Sequence, residues 1–557
     1  MIASPASAAA GELLAELIGS GVRDVVLSPG SRSQALALAA TALARRGAVR
    51  VHVRIDERVA GFTALGIARE TGVPAAVVCT SGTAVGNLLP AAMEAFHSGV
   101  PLLLLTADRP PELRGVGANQ ATVQPGIFGP FVRWQADAAV PASAPGTTSA
   151  WSGLGRDAVA AALGLTGAGT PGVAGPVHLN LPAREPLSDA TVPVVSRGDA
   201  PTGPHLETTE LPRGPRTVVI AGADAGPDAE AVSHAGGWPL IAEIVSGARY
   251  GRLLVHGYRA LLRQDGLGGS IQRAVVFGHP TLSREVAALL ARDDVEVIAV
   301  RSGGEPLNLN GRTRAVDALA VDPGPADRQW LGAWMSASAA ASVDLSAPAP
   351  DQDGLSSTDT AARRDAVRAE LDVVRRPVDR ALLADAVWRA TWPHDRLVFG
   401  SSRLVRVADQ VLGGKKVPVH ANRGLAGIDG TIATATGIAV ASQAEGAPGV
   451  TRVLLGDLAF LHDVGALLLP ADEPAPRIQV IVGNDGGGTI FDGLEVATSA
   501  PGEDLDRVFY TPHTADLRQL AAAYGWDYAQ VSTRSALDQV LTSPVSGPQI
   551  IEVPLER

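Results

Sequence analysis

Cysteine is almost absent from this chain of 557 residues, because Cys79 is the single one and no disulfide can form within the chain. An oxidising compartment therefore gains no support. Long apolar runs are also lacking, since a dense one such as Val100–Leu105 falls far short of the roughly 20 residues that cross a bilayer. No basic side chain precedes Arg23, unlike a secretory signal. We therefore expect a soluble, cytoplasmic protein without integral membrane association.

Lysine is confined to Lys415 and Lys416, so the other basic positions are arginine. Because the chain uses arginine at almost every basic position, an arginine at a given position is weak evidence that this position binds an anion. Acidic residues outnumber basic ones by 57 to 46, and the net charge of -11 disfavours a general attraction to nucleic acid or anionic membranes. Small molecules and further copies of the chain are the expected partners.

Short apolar runs rich in Val and Ile alternate with turn residues and Ala/Leu-rich segments along the whole chain. Such alternation is typical of βαβ units with a buried parallel sheet. Domains of about 100–200 residues make three of them the natural expectation for this length. The runs fall into three groups: Val22–Leu27, Ala75–Cys79, Pro101–Thr106 and Val177–Leu181; Thr217–Ala221, Ala274–Gly278 and Val295–Val300; Leu397–Gly400, Val453–Gly456, Ile478–Gly483 and Gln549–Val553.

Two segments rich in Pro, Gly, Ser and acidic residues, Leu187–Pro215 and Ser346–Thr360, interrupt these runs and indicate boundaries. Pro141–Ser149 is also loop-like, but the strand near Val177 is assigned to the first block. We predict an α/β protein with three doubly wound parallel-sheet domains at 1–190, 210–345 and 373–557, and a linker at 346–372.

Two strands of the third block end in acidic or amide side chains, at Gly456-Asp457 and at Asn484-Asp485, and the second Asp follows the first by 28 residues. The carboxyl ends of parallel strands meet at one edge of the sheet, where such folds bind ligands. Carboxylate oxygens suit Mg²⁺, which shares its remaining positions with phosphate oxygens. Each sequence alone is also an ordinary turn, but together they favour a diphosphate–metal site.

This pair of motifs resembles the metal motif of the thiamine diphosphate enzymes, in which Gly-Asp is followed by an Asn pair. The resemblance implies thiamine diphosphate as cofactor, with Mg²⁺ or Mn²⁺ held by Asp457, Asp485 and the carbonyl of Gly487. Asp485 stands where the family has Asn, which keeps an oxygen donor and adds a negative charge. Further cofactor contacts are implied for Gly456, Leu458, Ala459 and Ile428, the last matching the bulky residue that bends the cofactor.

The first block extends the resemblance. Glu57, in Asp56-Glu57-Arg58, matches the family glutamate that contacts the aminopyrimidine ring and promotes proton transfer there. Alone, this run would be read as a solvated charged surface. The next strand, however, is followed by the residues that match the cofactor-contacting loop, Thr80, Ser81 and Gly82. The family resemblance thus implies a pyrimidine-binding domain, a central domain and a diphosphate-binding domain.

Five longer strings resemble one branch of this family, which acts in menaquinone biosynthesis. That branch decarboxylates 2-oxoglutarate and adds the resulting succinyl carbanion equivalent to isochorismate in a 1,4-addition. The resemblance implies both molecules as substrates of this chain. The strings are Ser28–Arg32, Thr106–Pro110, Gly117–Gln120, Asn422–Gly430 and Gly456–Asp463.

Both substrates are dicarboxylates, and the forked guanidinium of arginine binds carboxylates bidentately. The resemblance implies that Ser402, Arg406 and Arg423 hold the part derived from 2-oxoglutarate. Ser402 and Arg406 are four residues apart and would share one face of a helix. For isochorismate the resemblance implies Arg32, Arg109 and Gln120, the last also a cofactor contact. Ile490 and Phe491 match apolar residues that line the substrate side, and ordinary core packing is an equally good interpretation of both. Arg284 is a weaker candidate, for which a surface role is the better interpretation.

Glu57 and Asp457 lie in different blocks, yet both must touch one cofactor. In the family two chains share each site across a two-fold axis, so we expect a homodimer or a dimer of dimers. A rival interpretation keeps the cofactor but has a monoacid substrate, as in acetohydroxyacid synthase. A second alternative is an inactive cofactor-binding protein whose central block serves as a nucleotide-binding or regulatory module. It is disfavoured because that block has no G-x-G-x-x-G fingerprint after its first strand, and because Glu57, Asp457 and Asp485 are all present.

Overall fold

The computed structural model describes residues 4–142, 150–165, 172–189 and 207–557. Parts of two predicted loop segments, residues 143–149 and 190–206, lie outside these residues. Three main sheets follow one another along the chain, and every strand pairing among the described residues is parallel. The predicted α/β class is confirmed, while the exact domain limits stay a prediction. No helix in the described ranges is both long and apolar enough to cross a membrane.

The first sheet has six strands in the order β2-β1-β3-β4-β6-β5. Its inner strands read as nearly continuous Val, Leu and Ala because helices cover both faces. Its elements are α1 (Pro5–Gly19), β1 (Asp24–Leu27), α2 (Gln34–Ala44), β2 (Arg50–Val53), α3 (Glu57–Thr71), β3 (Ala75–Cys79), α4 (Thr83–Asn87), α5 (Leu89–Ser98), β4 (Leu102–Asp108), β5 (Trp134–Asp137), α6 (Leu154–Ala162) and β6 (Pro176–Pro182).

The central unit has a five-stranded sheet in the order β12-β11-β10-β8-β9 and a separate pair of strands, β13 and β7. The strands β8 and β10 are buried along their whole length. The elements are β7 (Thr208–Leu211), β8 (Thr217–Ala221), α7 (Asp228–Gly236), β9 (Leu240–Ala242), α8 (Tyr258–Leu262), β10 (Arg273–Phe277), α9 (Arg284–Leu290), β11 (Glu296–Val300), β12 (Arg314–Val316), β13 (Ala318–Val321) and α10 (Arg328–Ala340).

The segment predicted as a linker carries two helices, α11 (Gln352–Ser356) and α12 (Thr360–Arg375). The third sheet follows, with six strands in the order β15-β14-β16-β17-β19-β18. Its elements are α13 (Arg380–Ala390), β14 (Arg396–Phe399), α14 (Arg403–Val411), β15 (Val419–His420), α15 (Thr431–Ser442), β16 (Thr451–Gly456), α16 (Asp457–His462), β17 (Ile478–Asn484), α17 (Val496–Ser499), α18 (Gly502–Leu505), α19 (Leu517–Tyr524), β18 (Asp527–Gln530), α20 (Arg534–Thr542) and β19 (Gln549–Pro554).

The first and third sheets share one hydrophobic core, whose centre is the crossing of α3 with α15. Glycines make this crossing close. A Cβ on Gly66 would lie 2.0 Å from the backbone oxygen of Thr434, and a Cβ on Gly437 would lie 2.1 Å from that of Thr63. No real side chain tolerates such distances, so the spacing of the two helices depends on both glycines.

We predict that Gly437→Ala lowers the free energy of unfolding by about 1–3 kcal/mol, because the added methyl group forces two packed backbones apart. Denaturant unfolding monitored by circular dichroism measures the change. Gly332→Ala is the matched control, since Gly332 lies in the exposed part of α10 with open space around its Cα. That variant should be neutral or more stable by up to about 1 kcal/mol. Equal stabilities for the two variants would contradict the packing argument.

Candidate active site

Three strands of the third sheet, β14, β16 and β17, lie side by side and end at a cavity of about 180 Å³. Because parallel strands place their carboxyl ends on one edge, the loops that follow these strands converge there. The structure thus brings together the side chains predicted to hold the diphosphate and the metal. The cavity wall includes Ser402, Ile428, Gly456, Asp457, Leu458, Ala459, Asp485, Gly487, Ile490 and Phe491.

Asp457 is the first residue of α16 and is 2% exposed. The Leu458 amide donates to its Oδ1 at 2.8 Å, and the Gly487 amide donates to its Oδ2 at 2.8 Å. The Nε2 atom of His513 lies 3.0 Å from the same Oδ2. Burial raises the pKa of Asp457, and the nearby negative charge of Asp485 raises it further. Two acidic groups facing one cavity favour a bound cation.

Gly487 follows β17 and has a φ of 149°. A Cβ at this position would lie 2.3 Å from the backbone oxygen of Tyr510, so only glycine fits. Two carboxylates and a nearby backbone carbonyl form a set of hard oxygen donors, which suits Mg²⁺ or Mn²⁺ sharing phosphate oxygens. The residues of the third sheet therefore fit a metal–diphosphate group.

Arg423 lies at the junction of the third and central units and is 5% exposed. Its Nε and Nη2 donate to the Thr281 hydroxyl at 2.9 and 2.8 Å, and its Nη1 donates to the Ser401 hydroxyl at 3.4 Å. Ser401 lines the cavity. A contact from the central unit thus holds Arg423 next to Ser401, a residue of the cavity wall.

Glu243, which is fully buried, holds the loop that carries Thr281. Its carboxylate accepts the Thr281 amide at 3.1 Å and the Leu282 amide at 2.7 Å. Burial and the negative charge of Asp409 raise the pKa of Glu243 to about 7. The central unit therefore positions a predicted substrate contact through a buried acid.

Arg406 lies on α14, whose N-cap is Ser402 with its hydroxyl accepting the Leu404 amide at 3.2 Å. The predicted shared helix is therefore present. Burial lowers the pKa of Arg406, and the positive charges of Arg259 and Arg284 lower it further. Arg259 pairs with Asp409 of α14 at 2.6 Å, so its charge is balanced within the protein, whereas Arg284 adds positive charge near Arg406.

A second group of predicted residues meets at the carboxyl edge of the first sheet. Arg109 donates to the Ser81 hydroxyl in a short contact. Ser81 donates in turn to the Gln120 carbonyl at 3.0 Å, and the Gln120 amide group donates to the Ser81 carbonyl at 2.9 Å. Burial and the charge of Arg32 lower the pKa of Arg109, so the two arginines are neighbours. Thr80 and Gly82 complete the loop.

Glu57 is the first residue of α3 and is partly buried. It is not among the described residues that line the cavity holding Asp457. Its neighbour Arg58 instead donates to the carbonyl of His462 at 2.9 Å, at the far end of α16 from Asp457. Within one chain, Glu57 and the metal residues therefore belong to separate groups.

Four residues around the site were not found from the sequence: His513, Arg380, Thr281 and Glu243. The first two contact Asp457 and Asp485, and the last two support Arg423. All four lie far along the chain from the residues that they contact. No spacing within the chain therefore pointed to them.

Comparison with known proteins defines the class. A family model described as the N-terminal TPP binding domain of thiamine pyrophosphate enzymes matches residues 8–127. A crystal structure of benzoylformate decarboxylase from Polynucleobacter necessarius superposes with a TM-score of 0.66 at 16% identity, covering 100% of this chain and 99% of that one, and shows a shared fold. The chain is a thiamine diphosphate-dependent enzyme.

Two relatives narrow the class, and both are named 2-succinyl-5-enolpyruvyl-6-hydroxy-3-cyclohexene-1-carboxylate synthase. The protein of Leifsonia xyli subsp. xyli (strain CTCB07) is 55% identical over 100% of this chain and 97% of its own length. That of Clavibacter michiganensis subsp. michiganensis (strain NCPPB 382) is 51% identical with the same coverage. The chain belongs to this synthase family.

Proposed function

We propose that this enzyme decarboxylates 2-oxoglutarate and adds the resulting succinyl carbanion equivalent to isochorismate in menaquinone biosynthesis. The observation that carries the proposal is the arginine-rich side of the site. Arg406 lies on α14, whose N-cap Ser402 lines a cavity that suits a metal and a diphosphate, and Arg423 donates to Ser401 of the same wall. Arg284 lies near Arg406. A pocket with this charge suits dicarboxylates, whereas a monoacid such as pyruvate would leave cations unpaired.

In the proposed mechanism, bound thiamine diphosphate supplies the carbon nucleophile and takes up the electrons that decarboxylation releases. Asp457, Asp485 and the Gly487 carbonyl would hold Mg²⁺ or Mn²⁺ beside the diphosphate. Ile428 would pack against the bound cofactor. Glu57 would contact the aminopyrimidine ring and could hold and return a proton there.

The substrate contacts divide between the two sheet edges. Ser402, Arg406 and Arg423 bind the carboxylates of 2-oxoglutarate, and Ile490 and Phe491 exclude water from the reacting carbon. Arg32, Arg109 and Gln120 orient isochorismate, with Gln120 also near the cofactor together with Thr80, Ser81 and Gly82. Gly456 ends β16, and Leu458 and Ala459 lie in the first turn of α16, so all three line the cavity where the diphosphate would bind.

We further propose that two chains share each site in a homodimer or a dimer of dimers. Glu57 is not among the described residues that line the cavity of Asp457, which supports a partner subunit as the source of the missing half. Large apolar side chains near the first group are exposed: Ile55 by 70%, Val116 by 67% and Val123 by 79%. Exposed apolar side chains of this size favour a buried interface. The lone buried cysteine fits a cytoplasmic location.

Mass spectrometry tests the proposed reaction. The protein is mixed with thiamine diphosphate, Mg²⁺, 2-oxoglutarate and isochorismate, and the coupled product should have the mass of both substrates less CO₂. A parallel mixture contains pyruvate in place of 2-oxoglutarate. Equal product from pyruvate would favour an enzyme of the acetohydroxyacid synthase kind, and no product from 2-oxoglutarate would reject the proposal.

Substitution of the arginines should separate the two substrates. We expect Arg406→Ala and Arg423→Ala to impair mainly the use of 2-oxoglutarate, and Arg32→Ala and Arg109→Ala mainly that of isochorismate. The loss of a charge-assisted contact costs roughly 1.5–3 kcal/mol, which lowers kcat/KM for the affected substrate about ten- to a hundredfold.

Steady-state kinetics with each substrate varied in turn measures this separation. Arg312→Ala serves as the control, since Arg312 pairs with Asp293 on the exposed surface of the central unit. If all four variants affect both substrates equally, the pocket is divided differently.

Subunit mixing tests the shared site. Glu57→Gln and Asp457→Ala should each be nearly inactive alone, the first through lost proton transfer and the second through lost metal binding. A heterodimer places both lesions in one site and leaves the other intact. Random exchange should therefore restore up to about a quarter of the activity, as two-fold symmetry requires. Exchange demonstrated with tagged chains but without recovered activity would place the site within one chain.

A further inference from the structure

Arg380 is the first residue of α13, and its guanidinium lies behind the cavity wall. Its Nη2 donates to Oδ2 of Asp485 at 2.7 Å and lies 3.4 Å from Oγ1 of Thr489. The side chains of Arg380 and Asp485 are only 16% and 9% exposed. Salt and water screen such an ion pair far less than one on the surface.

The position of Arg380 is unfavourable for the helix itself. A cation in the first turn opposes the helix dipole, which favours negative charge there. The Nε atom of Arg380 is also buried and has no hydrogen-bond partner among the described residues, which carries a desolvation cost. The ion pair with Asp485 compensates for both unfavourable effects. We therefore attribute the presence of Arg380 to its contact with a residue that lines the cavity.

The hydrogen bonds to Asp485 fall on one of its two oxygens. The Thr489 hydroxyl donates to Oδ2 at 2.5 Å, and Arg380 donates to the same atom. Within the described ranges, Oδ1 of Asp485 has no hydrogen-bond partner. Arg380 is not among the described residues that line the cavity. It therefore acts on the cavity through Asp485.

We infer that Arg380 is a positioning residue that sets both the charge and the geometry of the cation site. It neutralises Asp485 and occupies Oδ2, so that only Oδ1 is left to bind the cation. A carboxylate that offers a single oxygen and whose charge is balanced suits Mg²⁺, because Mg²⁺ requires near-ideal octahedral geometry. Ca²⁺, in contrast, accepts carboxylates that bind through both oxygens. The inference rests on the metal site proposed above.

A double-substitution cycle tests this role by metal binding. The full-length protein is saturated with thiamine diphosphate, and free Mn²⁺ is followed by electron paramagnetic resonance. We expect Asp485→Asn to weaken Mn²⁺ binding on the order of tenfold, because the guanidinium is left uncompensated beside the cation. Adding Arg380→Met to Asp485→Asn should restore most of the affinity, since the pair is then replaced by a neutral one.

Arg380→Met alone should change the selectivity of the site. Without the guanidinium, Oδ2 of Asp485 keeps only the hydrogen bond from the Thr489 hydroxyl, so a cation can approach both oxygens more easily. Ca²⁺ should then compete with Mn²⁺ better relative to Mg²⁺, and the ratio of the Mg²⁺ and Ca²⁺ dissociation constants should change roughly five- to tenfold. Arg380→Lys should retain part of the original preference, because it keeps the charge but not the planar fork. Arg389→Met is the control on the same helix, since Arg389 pairs with Asp385 and Asp538 instead.

Circular dichroism establishes that each variant is folded. A double variant that binds Mn²⁺ as weakly as Asp485→Asn would overturn the inference, and so would an unchanged Mg²⁺ to Ca²⁺ ratio in Arg380→Met. If the unsubstituted protein does not bind Mn²⁺ in the presence of the cofactor, the metal site and this role of Arg380 both fail. If the coupled product still forms although no Mn²⁺ binds, the proposed reaction stands, and only the metal site and the role of Arg380 are rejected.

Discussion

The close crossing of α3 and α15 fixes how the first and third sheets meet. Gly66 and Gly437 allow the two backbones to touch. Ion pairs near both ends of α3, Arg58 with Asp463 and Glu70 with Arg396, add to the contact between the two units. Arg58 also contacts the end of α16, and Arg396 lies at the start of β14. The same helix that carries Glu57 is thereby locked onto the unit that carries Asp457.

That packing has a consequence for the site. Because α3 runs along α15, its first residue lies beside the end of α16, while the proposed metal residues lie at the start of that helix. The two halves of the proposed site thus remain on separate sheet edges of one chain. In the homodimer or dimer of dimers proposed above, a second subunit would bring both halves to one cofactor, and the exposed apolar residues Ile55 and Val123 are suited to that contact.

Charge balance is the second organising feature. Acidic Asp457 and Asp485 face a cavity proposed for a polyanionic group and a divalent cation, and cations surround them at different depths. Arg380 pairs with Asp485, which lines the cavity, whereas Arg423 contacts the cavity-lining Ser401 and is held by Thr281 and, through it, by Glu243. The central unit thus contributes to the site by fixing a side chain of another unit.

The sequence by itself determined the α/β class and most of the strand positions, because burial on both faces leaves continuous apolar runs. The predicted strands at Ala75–Cys79 and Thr217–Ala221 coincide with β3 and β8. It also determined which polar residues follow the strands, since turn sequences such as Gly456-Asp457 are local. The helices α11 and α12 were not predicted in the linker, because composition there indicated a boundary and almost none of α12 is buried. Only the tertiary structure decided that Arg380 pairs with Asp485, that His513 contacts Asp457 and that Glu243 supports Arg423. Each of these contacts joins residues distant in the chain, and a side chain's partner across such a distance is set by how the units pack, which no local pattern records.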